Sequence, residues 1–252
     1  MKMKAMYYAA LMVFIALLVA SMPVCASEMD DRIESSARQS YVFKAYLKDD
    51  DIKIQSRDGA VTLTGIVANE FHKALAEETM SGLPAVKSVD NRLELKGAPP
   101  TANSDAWLRD KVKVTLLFHR SVSAGNTDVD VKDGIVTLRG PATSLAQKEL
   151  TTEYAKDVEG VKEVKNEMTV IKAPKKPRTA AEKIDDASIT AQVKMTLLFH
   201  RSTSALHTKV VTKLGVVTVS GKAKNIAELD LVTKLANDVN GVRIVRNQMT
   251  IE

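Results

Sequence analysis

Apolar positions along this chain alternate between a helical and a strand period, and the alternation recurs. Within residues 104–170, Leu108, Val112, Thr115 and Leu116 stand at i, i+4, i+7 and i+8, which predicts a helix opened by Ser104 or Asp105 as N-cap. Val129 and Val131, then Val136 and Leu138, alternate with polar residues and predict two half-buried strands. Asp133-Gly134 between them is a hairpin signal, because glycine readily takes positive φ. Gly140 is expected to end the second strand. A second helix is expected from Ser144, with Gln147 completing a capping box and Gly160 serving as the left-handed cap past its end. The last strand runs from Val164 to Val170.

A shift of 81 positions lays 104–170 over 185–251 without a gap. Gly134-Ile-Val-Thr-Leu-Arg-Gly140 then meets Gly215-Val-Val-Thr-Val-Ser-Gly221, and Gly160-Val-Lys-Glu-Val-Lys-Asn166 meets Gly241-Val-Arg-Ile-Val-Arg-Asn247. The segment Thr115-Leu-Leu-Phe-His-Arg120 reappears unchanged as Thr196–Arg201. A shift of 75 the other way finds a weaker copy, with Gly59, Gly65 and Asn91 in the matching places. There Ala85, after Pro84, stands where the others have the capping glycine, so a different exit turn is expected. Asn69 and Asn225 open the second helices of the outer units, and Glu228 repeats the capping box.

The strand–helix–strand step should be a right-handed crossover, which makes the second and third strands parallel, while the hairpin makes the first two antiparallel. The fold class is therefore α+β: three tandem αββαβ units, each a small mixed three-stranded sheet with two helices on one face. The units are read as 27–97, 104–172 and 185–252, with a proline-bearing basic linker at 173–184. A unit of about 70 residues buries only about 60% of its unfolded surface, so packing between units is expected to help.

Residues 1–26 read as a secretory signal peptide: Lys2 and Lys4, an apolar run from Ala9 to Ala20, and Val24 and Ala26 before a cleavage site. The apolar run is shorter than the ~20 residues a span needs, and Val24 and Met22 fit a lipoprotein site at Cys25 poorly. Cleavage after Ala26 removes Cys25, the single cysteine, and with it any disulfide or thiolate chemistry. The expected destination is the periplasm.

The αββαβ order with Asp-Gly-x-Val-x-Leu-x-Gly, a helix, then Gly-Val-x-x-Val-x-Asn resembles the BON domain (bacterial OsmY and nodulation) family. The resemblance covers nearly all of the chain after the signal, and is weaker in the first unit. It implies a periplasmic protein associated with envelope and osmotic stress that binds phospholipid or partner proteins, and no catalysis. Gly59, Gly65, Gly134, Gly140, Gly160, Gly215, Gly221 and Gly241, with Asn91, Asn166 and Asn247, are then motif residues of the scaffold.

The search for chemistry agrees with that implication. His72, His119, His200 and His207 make no metal-ligand spacing, and no serine has a base at a telling distance. His119, His200 and Lys44 occupy equivalent helix ends, where a cation suits the helix dipole. The recurrent asparagines are expected to be buried and to satisfy loop backbone. No catalytic residue, metal or cofactor is expected. Nucleic acid is disfavoured by the single Trp and the export signal despite an isoelectric point near 9.1.

Charge is graded along the chain. Residues 27–97 hold 10 basic and 13 acidic groups, and residues 173–252 hold 13 and 7. Lys175, Lys176 and Arg178 in the linker, with Lys222 and Lys224, are the candidate contacts to an anionic membrane surface. Trp107, Val114, Leu117 and Phe118 lie outside the core stripe of their helix, as do Met195, Leu198 and Phe199 of its copy. That second apolar face suits lipid insertion, a protein-binding or chaperone-like role, or burial between units.

Overall fold

The computed structural model describes residues 23–98, 100–122, 124–171, 184–203 and 208–252. The first unit comprises α1 (Pro23–Gln39), α2 (Tyr41–Ala45), β1 (Asp51–Arg57), β2 (Ala60–Val67), α3 (Glu70–Ser81) and β3 (Ser88–Leu95). The second has α4 (Asp105–Phe118), β4 (Asp128–Lys132), β5 (Ile135–Arg139), β6 (Pro141–Ala142), α5 (Leu145–Lys156), β7 (Glu163–Asn166) and β8 (Thr169–Val170). The third repeats it as α6 (Asp186–Phe199), β9 (Thr208–Lys213), β10 (Val216–Ala223), α7 (Ile226–Asp238), β11 (Ile244–Asn247) and β12 (Thr250–Ile251). In every unit the first two strands pair antiparallel and the second pairs parallel with the last. The mixed sheets expected from the crossover rule are therefore the observed ones. The signal-peptide reading falls on residues outside the described set and on the first turn of α1.

Each hairpin places two consecutive residues at positive φ: Asp58 and Gly59, Asp133 and Gly134, Leu214 and Gly215. This is the primed turn whose twist matches that of the flanking strands. A carboxylate of the unit's first helix receives both turn N–H groups. Asp30 accepts from Asp58 and Gly59, Asp105 from Asp133 and Gly134, and Asp186 from Leu214 and Gly215, at 2.6–3.0 Å. Ser104 is the N-cap of α4, which frees Asp105 for this clasp. Backbone donation from Gly134 and Asp133 holds the Asp105 carboxyl below its ordinary range.

Three expectations change. Gly140 ends β5 as expected, but Gly65 and Gly221 lie inside β2 and β10 rather than ending them. All three take φ 120–135°, and the chain beyond keeps its parallel pairing at Val67–Leu95, Ala142–Val170 and Ala223–Ile251. A Cβ on Gly65 would sit 1.9 Å from the Asp51 carbonyl oxygen, so glycine is there to let the first strand approach. Ala85 does not take a different turn: it adopts the same left-handed conformation as Gly160, at φ 69°. The recurrent asparagines are half-buried and tie the last strand to the second helix. Asn166 donates to the Lys148 carbonyl and Thr152 and accepts from Met168 N, and Asn91 and Asn247 do the equivalent.

The caps follow the sequence: Asn69, Ser144 and Asn225 each accept from the N–H three residues on. Gln147 and Glu228 reach back one residue further than a capping box requires, to the N–H of Thr143 and Lys224.

The second apolar face of α4 and α6 is where the units meet. Val114 and Phe118 from α4, with Ala187, Ala191, Met195 and Phe199 from α6, enter the same cluster as the first unit's core. Phe71 of α3 packs against both Trp107 and Phe199, at ring-centroid distances of 5.4 and 5.1 Å. Polar contacts frame this junction. Tyr41 N donates to Asp185, Val42 N to Ser188, and Lys194 pairs with Glu78 at 2.6 Å.

Candidate functional site

The repeated Thr-Leu-Leu-Phe-His-Arg segment forms a reciprocal clasp between the second and third units. His119 bridges to Val239 as a strand-like pair, and His200 bridges to Val158 in the same way. Arg120 N donates to the Asp238 carbonyl and Arg201 N to the Asp157 carbonyl, each at 3.0 Å. Both guanidinium groups then cap the opposite unit's second helix. Arg120 donates to the carbonyls of Asn237, Val239 and Val242, and Arg201 to those of Lys156, Val158 and Val161. A cation there answers the negative end of a helix belonging to the neighbour, which sequence spacing could not reveal.

The two histidines are the C-caps of α4 and α6 and are enclosed in this clasp. His119 is 2% exposed, stacks on Tyr154 at 3.8 Å and contacts Asp238 at 3.1 Å. Burial raises the Asp238 carboxyl, but hydrogen bonds from His119, Ser121 and Tyr154 outweigh it and leave the group below its ordinary range. The third unit has Leu235 in place of Tyr154, so His200 lacks that stack and meets Asp157 at 3.5 Å. Burial, only partly offset by Asp157, holds the His200 imidazole below its ordinary value. The unfolded chain then takes up that proton first. Stability should fall as pH drops from about 6.5 through the lower folded value. Thermal unfolding of the wild type compared with His200→Gln should show a shallower acid-side loss in the variant; parallel profiles between about pH 7 and 5 would remove His200 from this account.

Lys111 is a buried cation. It lies 4.8 Å over the Trp107 ring and 5.6 Å over Phe199, reaches Glu159, and is depressed by burial. Trp107 is thus half-buried among Phe71, Lys111 and the unit junction, whereas Lys222 and Lys224 are exposed on the third unit. Lys175, Lys176 and Arg178 lie outside the described residues, as does His207.

The cavity at the clasp, beside His119, Tyr154, Thr196 and His200, measures about 10 Å³, which admits no substrate. Among the described residues no group of three or more acidic, His or Cys side chains could hold a metal, and no helix is long and apolar enough to cross a membrane. Sequence reasoning misses Asp30 and Asp186, and it reads Asp105 as an N-cap and Arg120 and Arg201 as cations at their own helix ends; all five recur at the 75- or 81-residue offset, and that recurrence is the available signal.

Three αββαβ units packed around the first helices of the second and third define a tandem-repeat α+β scaffold. The chain belongs to the BON domain family, whose model matches residues 29–97, 104–172 and 185–252. It is similar to osmotically-inducible protein Y of Escherichia coli (strain K12), with 30% identity over 198 residues, 79% of this chain and 96% of that protein. It is also similar to the outer membrane lipoprotein DolP of Haemophilus influenzae, with 32% identity over 147 residues, 58% of this chain and 73% of that protein. CdsD, a structural protein of the type III secretion system of Chlamydia trachomatis, aligns over 89% of this chain and 92% of its own at 16% identity and a TM-score of 0.25.

Proposed function

We propose that this protein is a non-enzymatic, periplasmic component of the bacterial envelope, connected with osmotic or envelope stress, and that it binds the membrane surface through anionic phospholipid. The observation that carries the reading is the charge asymmetry: 13 basic against 7 acidic groups in residues 173–252, in a chain whose first unit is net acidic. The export signal in the sequence and the relation to an outer membrane lipoprotein support the compartment. A protein-binding or chaperone-like module, the other reading of the second apolar face, loses much of its surface, because Val114, Phe118, Met195 and Phe199 are buried between units.

Co-sedimentation with vesicles tests the proposal. Binding should rise with the anionic lipid fraction and weaken as salt rises past about 0.1 M, where charges are screened beyond ~10 Å. Charge reversal at Lys175, Lys176 and Arg178 reports on the linker separately. Equal retention by neutral and anionic vesicles at every salt would sink the electrostatic reading.

A further inference from the structure

The open faces of the second and third sheets, turned away from their helices, can be compared position by position through the 81-residue offset. In the second unit this face carries exposed Asp128, Asp130, Glu163 and Glu167 beside Lys132, Arg139 and Lys165. The third unit replaces all four carboxylates, with Lys209, Val211, Ile244 and Gln248. It retains Lys213 and Arg246 in place of Lys132 and Lys165, and adds Lys222 where the second has Pro141. The face changes from one net negative charge to four net positive charges, and β9 to β12 contain no carboxylate at all; the next acidic residue is the terminal Glu252. In the other units the open face is internally paired, by Arg92 with Asp90 at 2.6 Å and Arg139 with Glu167 at 2.9 Å. Lys209, Lys213, Lys222 and Arg246 are exposed, and none pairs with a described carboxylate.

Apolar groups interleave these cations. Lys213 stands opposite Val216, and Val216 opposite Ile244; Val211 stands opposite Thr218, and Thr218 opposite Arg246. Val211 is 51% exposed, Ile244 55% and the hairpin-tip Leu214 72%. Leu214 holds the left-handed conformation, φ 53°, at a place where the other units use Asp58 and Asp133. Asp tolerates that conformation better than Leu, so an exposed leucine there serves neither the turn nor the core.

We propose that this face, β9–β10–β11 with the Leu214 tip, is the surface that docks on an anionic phospholipid bilayer. Lys209, Lys213, Lys222 and Arg246 meet the lipid phosphates, while Leu214, Val211 and Ile244 enter the interfacial layer. The inference rests on the membrane-surface reading above and assigns it to one face. A cationic face whose strands carry no carboxylate, with apolar side chains among the cations, matches negative headgroups over acyl chains.

The experiment transfers the second unit's face to the third in the full chain: Lys209→Asp, Val211→Asp, Ile244→Glu and Gln248→Glu together. A separate Leu214→Asp variant restores the turn residue of the other units, so it should fold at least as well as the wild type. Vesicles of phosphatidylcholine with and without phosphatidylglycerol are the probe. The expected result is at least about a hundredfold weaker partitioning for the four-residue variant and about tenfold weaker for Leu214→Asp, with unchanged circular dichroism. Wild-type protein that ignores anionic vesicles would overturn the membrane reading itself. Wild-type binding that both variants keep would overturn only the assignment to this face. A concentration-dependent dimer abolished by the four substitutions, with vesicle binding intact, would assign the face to a second copy and equally overturn the proposal.

Discussion

Phe118→Ala is expected to destabilise the protein by about 3–5 kcal/mol and to loosen the first unit from the rest. The side chain is completely buried although it leaves the end of a second-unit helix. It lies in the first unit's core cluster and meets the Tyr46 ring edge-on at 5.6 Å. Its own carbonyl receives Asn240 N from the third unit, so one residue joins all three. Removing the ring leaves a cavity that rigid helices on three sides cannot close. The indole of Trp107, the single Trp of the chain, packs against Phe71 at the same junction and reports on it. Urea unfolding followed by its fluorescence should show a transition that precedes the loss of helical signal in the variant and coincides with it in the wild type. A cost below about 1 kcal/mol, with coincident transitions, would mean that the units are not coupled through this side chain.

Gly140→Ala should cost about 3 kcal/mol or more, for a reason confined to backbone geometry. At φ 120° the new Cβ would lie 2.2 Å from the Asn126 carbonyl oxygen, which no rotamer change can relieve. Gly97→Ala is the matched control. Its φ is also positive, +85°, but nothing lies within 4 Å of the added Cβ, so only the conformational penalty of about 1 kcal/mol applies. Similar midpoints for the two variants in thermal unfolding would show that close approach of the Asn126 backbone is not what demands glycine.

The contrast between these residues marks how far the sequence could be read. The hairpin turns, the N-caps at Asn69, Ser144 and Asn225, and the parallel third strands follow from local patterns, because φ preferences, capping and period act over a few residues. The family followed from the same local motifs at fixed separations. Asp105 shows where a local reading stops: it is a good N-cap type, but Ser104 takes that role, and the carboxylate serves turn N–H groups 28 and 29 positions away. Gly140 likewise reads as a strand end and does end β5, but what requires glycine there is the Asn126 carbonyl 14 positions away.

The candidate membrane site divides along the same line. That the third unit is basic is a matter of counting, and Lys222 and Lys224 could be named from it. That Lys209, Lys213 and Arg246 share an open face with Leu214 and Ile244 required the register of β9, β10 and β11. By helical spacing Trp107 belongs to a second apolar face open to lipid, and packing places it beside Phe71 and Lys111.

By itself the sequence determined the three αββαβ units, their turns and caps, and the family they belong to, since each depends on backbone preferences and apolar periods within about 70 residues. Only the tertiary structure decided what the second apolar face and the repeated His-Arg pair do. A helical period shows that a face is apolar but not which surface will cover it. Burial of His119 against Asp238, and the closing of a neighbour's helix by Arg120, depend on contacts about 120 residues apart that no local propensity encodes.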